Sequence, residues 1–181
     1  MPDVDLPSPA YLRECFDLDG LTGDLRWRSR PESHFSSTKM WRIFNRQNAG
    51  KRAGGDNGKG YVAIRISPWP AKFKAHRIIW ALVHGEWPPA GFDVDHINMI
   101  KGDNRPANLR LATRGQNIAN RVVRTSSGTG FKGVVRSKMR FAAKIKAGGK
   151  MHYIGQFKTP EEAHAAYVEA AKRLHGEFAR A

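Results

Sequence analysis

Between Phe92 and Asn117 the chain has room only for short elements in a fixed order. Phe92 to Ile97 reads as a strand, the polar run to Asn108 as a loop, and Leu109 to Ala112 as a second strand. Thr113, followed three residues later by Gln116, is a capping box that opens a helix carrying Asn117. Asp95 and His96 end the first strand and Asn108 begins the second, so strand, strand and helix can converge their polar side chains on one point.

The flanks organise around this segment. Ala75, Ile78, Ile79 and Leu82 recur at helical spacing and Gly85 stands where a helix would stop, which predicts a short amphipathic helix over 75–84, ended by Trp87, Pro88 and Pro89. Residues 1–74 read as a loosely packed, β-rich arm. Thr22, Gly23 and Asp24 form a turn before a strand at Leu25 to Arg28, and Val62, Ile64 and Ile66 mark one face of a strand after the glycine-rich stretch Gly50 to Gly60. Phe35 to Gln47 carries no decisive period and is assigned no function.

Downstream, Arg121 to Gly130 mixes Ser126, Ser127, Gly128 and Gly130 with basic residues, the composition of a linker lying on phosphate. Beyond it, Phe131 to Val135, Phe141 to Ile145 and Met151 to Phe157 predict three strands. A helix follows, with Thr159 as N-cap, Pro160 as first residue, Glu162 as capping-box partner, and an apolar stripe of Ala163, Ala166, Tyr167, Ala170, Ala171 and Leu174. The expected fold class is α+β: an arm (1–74), a strand–strand–helix core (75–122), a basic linker (123–130), and a three-stranded antiparallel sheet packed on one helix (131–179).

Charge narrows the function. Lys and Arg number 31 against 16 Asp and Glu, a net charge of +15 over 181 residues, which favours a polyanionic partner, double-stranded DNA first. Aromatics at 10% and a 40% hydrophobic share argue for folded cores rather than a cationic tail. Cys15 is the lone cysteine, so neither an internal disulfide nor a paired-cysteine zinc knuckle is expected. The start at Met1 to Asp5 has no basic, apolar leader pattern, and no stretch approaches the roughly 20 apolar residues of a membrane span. These features lead us to expect a cytoplasmic monomer with no membrane and no obligatory protein partner.

The segment VDHINMIKGDNRPANLRLATRGQNIANR resembles the HNH endonuclease family in its phage and intron-encoded branch, matching the Asp-His, Asn and final Asn positions in order and spacing. The resemblance extends upstream through AHRIIWALVHGEWPP and covers about Ala75 to Arg121. It implies a ββα-metal (His-Me finger) nuclease core with His96 as the base that activates water. Asn108 would orient that imidazole, and Asp95 and Asn117 would hold one divalent metal, Mg²⁺ or Mn²⁺. Asn117 stands where histidine is commoner, which disfavours softer metals. Arg77 either holds a phosphate or packs locally.

In the C-terminal part, Phe141, Ala143 and Ile145 alternate with Arg140, Ala142, Lys144 and Lys146, giving one apolar and one basic strand face. Lys132-Gly133-Val134, Phe141-Ala142-Ala143, Tyr153 to Phe157 and the helix with Ala163, Ala166 and Tyr167 make this region resemble the ethylene-response-factor (AP-two/ERF) DNA-binding domain. On matching positions the resemblance makes Arg136, Lys138, Arg140, Lys144, Lys146 and Tyr153 the expected DNA contacts. The expected function is a site-preferring, phage or mobile-element (homing-type) endonuclease. Its rivals are a non-catalytic DNA-binding regulator that keeps the nuclease scaffold and an RNA-binding accessory protein.

Overall fold

A computed structural model of the chain describes residues 6–120 and 128–179. Most of the expected basic linker, up to residue 127, lies outside the described residues. The chain divides into two compact units, residues 1–111 and 112–181.

The first unit begins with helix α1 (Pro9–Cys15), where the Ser8 hydroxyl accepts from the Tyr11 amide at 3.1 Å and proline takes the first turn. Strands β1 (Phe16–Leu18) and β2 (Leu25–Trp27) pair antiparallel, Phe16 opposite Trp27. Helix α2 (Thr38–Asn48) is opened by Ser37, whose hydroxyl accepts from the Met40 amide at 3.3 Å. Strands β3 (Gly55–Asp56), β4 (Val62–Arg65) and β5 (Lys72–Lys74) form a second antiparallel sheet with β4 in the middle, and helix α3 (Ala75–His84) follows β5 directly. It stops at Gly85, whose left-handed backbone (φ 76°) ends the turn.

These elements share one core. Leu12, Phe16, Trp27, Ile64, Ile78, Val94 and Leu109 belong to a single buried cluster, and each fully buried isoleucine contributes about 1.5–3 kcal/mol relative to exposure. Arg30 is also buried. Its guanidinium donates to the Tyr11 hydroxyl, to the Ser67 carbonyl at 3.0 Å and to His34 Nδ1 at 3.2 Å, and it lies 4.8 Å from the Phe35 ring centroid and 5.1 Å from that of Phe44. Donor satisfaction and ring faces offset the cost of taking that charge out of water.

The β-rich, loosely packed arm expected for residues 1–74 is thus corrected: α1 and α2 are helical, and the segment packs in the same core as α3. The missed signals were two serine caps, because short helices with few apolar repeats are decided by capping and tertiary packing rather than by periodicity.

After α3 the chain forms β6 (Phe92–His96) and β7 (Leu109–Thr113), paired as a two-stranded sheet, and then α4 (Arg114–Ala119). The capping box at Thr113 and Gln116 is present.

In the second unit, β8 (Val134–Ser137), β9 (Arg140–Ala147) and β10 (Lys150–Phe157) form an antiparallel sheet with β9 central, and α5 (Pro160–His175) packs on one face. Both members of the Thr159–Glu162 capping box are made. Val134, Ala143, Ile145, Ala163, Tyr167, Ala170 and Ala171 are its core. Leu174, expected in the helix stripe, is exposed in the last turn of α5.

Gly133 shows how close helix and sheet come. Its φ is 72°, and a Cβ there would stand 2.1 Å from the Tyr167 ring and 2.7 Å from the Lys144 carbonyl. Gly133→Ala is expected to destabilise this unit by about 3 kcal/mol or more, through left-handed strain plus overlap. Thermal melts followed by circular dichroism check this; an unshifted transition would show that the helix can retreat without cost. Among the described residues, no helix is long and apolar enough to cross a membrane.

Candidate active site

Asp95 and His96 close β6, where Val94, Asp95 and His96 are all buried. The His96 imidazole is 4% exposed, and its Nε2 lies 3.0 Å from the Asn104 side-chain oxygen. An amide oxygen only accepts, so this bond places the ring proton on Nε2 and leaves the lone pair on Nδ1. Burial pushes the His96 pKa below its ordinary range, against the opposing pull of Asn104 and of the Asp95 charge. The ring is therefore neutral at pH 7, the form that can take a proton.

Asp95 is also buried, and its Oδ2 accepts from the Arg110 guanidinium, with Nε at 3.3 Å. Arg110 comes from β7, so the β6–β7 pairing sets carboxylate against guanidinium.

Asn108 braces the loop between the two strands. Its side-chain oxygen accepts from the Asn98 amide at 3.0 Å, and its nitrogen donates to Asn98 Oδ1 at 3.0 Å and to the Asp103 carbonyl at 2.8 Å. Its own carbonyl accepts from the Ile97 amide at 2.9 Å. Asp103 is held by Arg105 and Asn98, and the Arg105 guanidinium keeps its carboxyl well below the usual carboxylate range. The Asp103–Asn104 turn is thereby fixed, and with it the oxygen on His96.

Three neighbours complete the surroundings of His96, of which the sequence marks only His76, as part of a His-Arg pair that either functions or packs locally. His76, on α3, is 4% exposed, and its ring meets that of His96 edge-on at 4.8 Å. Burial first, then the neighbouring His96 and Lys74, pushes the His76 pKa down to about 3. Tyr61 lies 5.4 Å from the His76 ring and 6.1 Å from that of His96. A histidine on the same helix face as Ile79 was the available signal for His76. Asn104 had only its place after Asp103, and Tyr61 had none. Arg77 is half-buried, its guanidinium 6.0 Å from the Trp87 ring centroid. Asn117 lies on α4, after the capping box.

The HNH endonuclease family model matches residues 73–119, from β5 through α4. A protein of Acanthamoeba polyphaga mimivirus named as an HNH endonuclease is 37% identical over 109 residues, 60% of this chain and 56% of that protein. Protein 3.8 of Escherichia phage T7 is 32% identical over 111 residues, 59% of this chain and 88% of that protein. Residues 73–119 form an HNH endonuclease domain. The chain spans just over half the length of the mimivirus relative. No solved structure matches it. HNH nucleases generally use a divalent metal. Among the described residues no three His, Cys, Asp or Glu side chains gather as a cage for one. Asp95 offers a hard carboxylate oxygen, the donor type that suits a cation which keeps several waters and takes phosphate oxygens from a substrate.

The predicted DNA-contact residues of the second unit divide between two faces. Tyr153 pairs with Lys144 and Met151 with Lys146, so these side chains share the sheet face opposite α5, together with Arg140. Arg136 pairs instead with Phe141, and its guanidinium lies 5.9 Å from that ring, on the helix side. Lys138 sits in the β8–β9 turn with φ 52°. Arg136 is two residues on from Val134, whose side chain is buried in the core, so the two share the helix side of β8.

Proposed function

We propose that this chain is a metal-dependent DNA endonuclease that cuts double-stranded DNA at preferred sites, in a phage or mobile-element setting. The observation that carries the reading is His96: a buried, neutral imidazole whose Nε2 is committed to Asn104, inside the segment matched to the HNH family. In the proposed reaction His96 Nδ1 takes a proton from water as its oxygen attacks phosphorus and the bond to the departing sugar oxygen breaks. Asn104 and Asn108 hold the base and its loop in place. The metal, Mg²⁺ or Mn²⁺ by donor chemistry, would neutralise phosphate charge and assist the leaving oxygen. Asp95 and Asn117 are its proposed protein ligands, on the strength of the motif.

Titration of Mg²⁺ while following cleavage tests the ligand assignment. Asp95→Ala and Asn117→Ala are expected to raise the half-saturating metal concentration by about 10–100-fold or more, since loss of even an outer-shell partner of a metal ligand costs about that much. A wild-type metal response in both variants would contradict the assignment.

We further propose that the second unit is an AP-two/ERF-like DNA-binding module, using the face that carries Arg140, Lys144, Lys146 and Tyr153. Support comes from the shared face and from its mixture of exposed cations with Met151 and Tyr153. Replacing Lys144 and Lys146 together by Ala is expected to reduce the slope of log affinity against log salt by about 0.9 for each lost phosphate contact. Should one of them read a base edge, the slope falls less and discrimination at one base pair drops by about 1–3 kcal/mol. Unchanged binding at every salt concentration and sequence would remove this face from the account.

A further inference from the structure

The His96 neighbourhood holds more positive charge than the motif accounts for. Tyr61 follows a β3–β4 turn tied by its own side chains: Asp56 Oδ1 accepts from the Gly58 and Gly60 amides at 2.9 and 3.0 Å, and Asn57 Oδ1 from those of Lys59 and Tyr61 at 2.9 and 3.3 Å. This turn meets the β6–β7 loop, where Lys101 Nζ donates to the Lys59 carbonyl at 2.9 Å. The Lys101 ammonium lies 4.9 Å from the Tyr61 ring centroid, and that of Lys74, from the end of β5, lies 4.5 Å from the same centroid. The ring in turn stands beside His76 and His96. Both lysines are exposed, and among the described residues neither is paired with a carboxylate. The nearby Asp103 is matched by Arg105.

The quadrupole of one aromatic ring offsets only part of the charge that two exposed ammonium groups bring to it. Such an arrangement is completed by an anion with several acceptor oxygens. We propose that Lys74 and Lys101, positioned by Tyr61, form a phosphate clamp that seats one stretch of DNA backbone against His96. The clamp rests on the nuclease reading and extends it: substrate position is set by the β3–β4 turn and the β5 end, outside the Asp-His, Asn and Asn positions that define the motif. Lys74 and Lys101 contact substrate, and Tyr61 is a positioning residue that acts through them.

The test uses the full chain with Lys74→Gln, Lys101→Gln and both together. Duplex binding is measured by fluorescence anisotropy in EDTA against potassium chloride concentration, and cleavage under single-turnover conditions in Mg²⁺. Each single variant is expected to reduce the salt slope by about 0.9 and the double variant by about 1.8, with melting temperatures unchanged. The wild type should lose affinity when a methylphosphonate replaces one particular phosphate beside the mapped cut, and the double variant should be indifferent at that position. Tyr61→Leu is expected to lower the salt slope by less than the double variant does, because both charges remain but are no longer held beside the ring. A wild-type slope and methylphosphonate profile in it would remove Tyr61 from the clamp. A salt slope and methylphosphonate profile equal to the wild type in the double variant would overturn the clamp. A wild type that binds DNA but never cuts it would overturn the nuclease reading instead, and the binding arm in EDTA would still decide the clamp.

Discussion

His96→Ala is expected to lower the single-turnover cleavage rate by about 10²–10⁴-fold, the range for loss of a positioned base, while the dissociation constant for DNA stays within a few-fold. The asymmetry follows from the ring's surroundings. His96 is buried and bonded to Asn104, so it offers little surface to DNA, and its removal deletes proton transfer without deleting a cation. Because the substitution also empties a buried site, the variant's melting temperature is to be compared with that of the wild type. Cleavage near the wild-type rate in a folded His96→Ala protein would remove this residue from the mechanism.

Gly23→Ala is expected to affect the same site from a distance in sequence. Gly23 has φ 73°, and a Cβ there would stand 2.2 Å from the Asn104 carbonyl carbon and 2.3 Å from the Arg105 nitrogen. Both obstacles are backbone, so no side chain can swing aside, and the Asn104 segment has to move. Left-handed strain and overlap together are expected to cost about 3 kcal/mol or more. Displacing Asn104 loosens the bond that orients His96, and a misplacement of about 1 Å at a catalytic group costs on the order of 10²-fold in rate. Gly50→Ala is the matched comparison: φ is 77°, but nothing lies within 4 Å of the added carbon. It should lose only about 1 kcal/mol, for the backbone strain, and keep full activity. Thermal melts and single-turnover cleavage of the two variants check this, and equal behaviour would show that Gly23 does not support the Asn104 turn.

What the sequence made legible follows from how local each signal is. Both capping boxes, at Thr113–Gln116 and Thr159–Glu162, are contained within four residues, and both helices start where those residues place them. The α3 stripe of Ala75, Ile78 and Ile79 is likewise local and buried as expected. The β9 alternation also held, with Arg140, Lys144 and Lys146 exposed and Ala143 and Ile145 buried. Asp95 and His96 were legible because motif spacing encodes a strand end.

The rest depended on contacts distant in sequence. Nothing local in Tyr61 says that its ring will stand beside His76 and His96, or that Lys101 will reach across to the Lys59 carbonyl. Asn104 is singled out only by a loop that Asn98, Asp103 and Asn108 tie together. Arg30 reads as one basic residue among many, yet it is buried among aromatic rings that come from separate segments. Arg136 is a DNA contact only by resemblance, and its pairing with Phe141, two residues on from buried Val134, turns it to the helix side of the sheet.

The central claim is that this HNH chain hydrolyses DNA with a divalent metal, and supercoiled plasmid tests it most directly. Purified protein is incubated with plasmid in Mg²⁺ or Mn²⁺ and, in parallel, in EDTA, and the products are resolved on agarose. The account predicts conversion of supercoiled plasmid to relaxed or linear DNA in the metal-containing reactions and intact plasmid in EDTA. Plasmid that is bound but stays supercoiled at every metal concentration would contradict it and leave a DNA-binding regulator built on a nuclease scaffold.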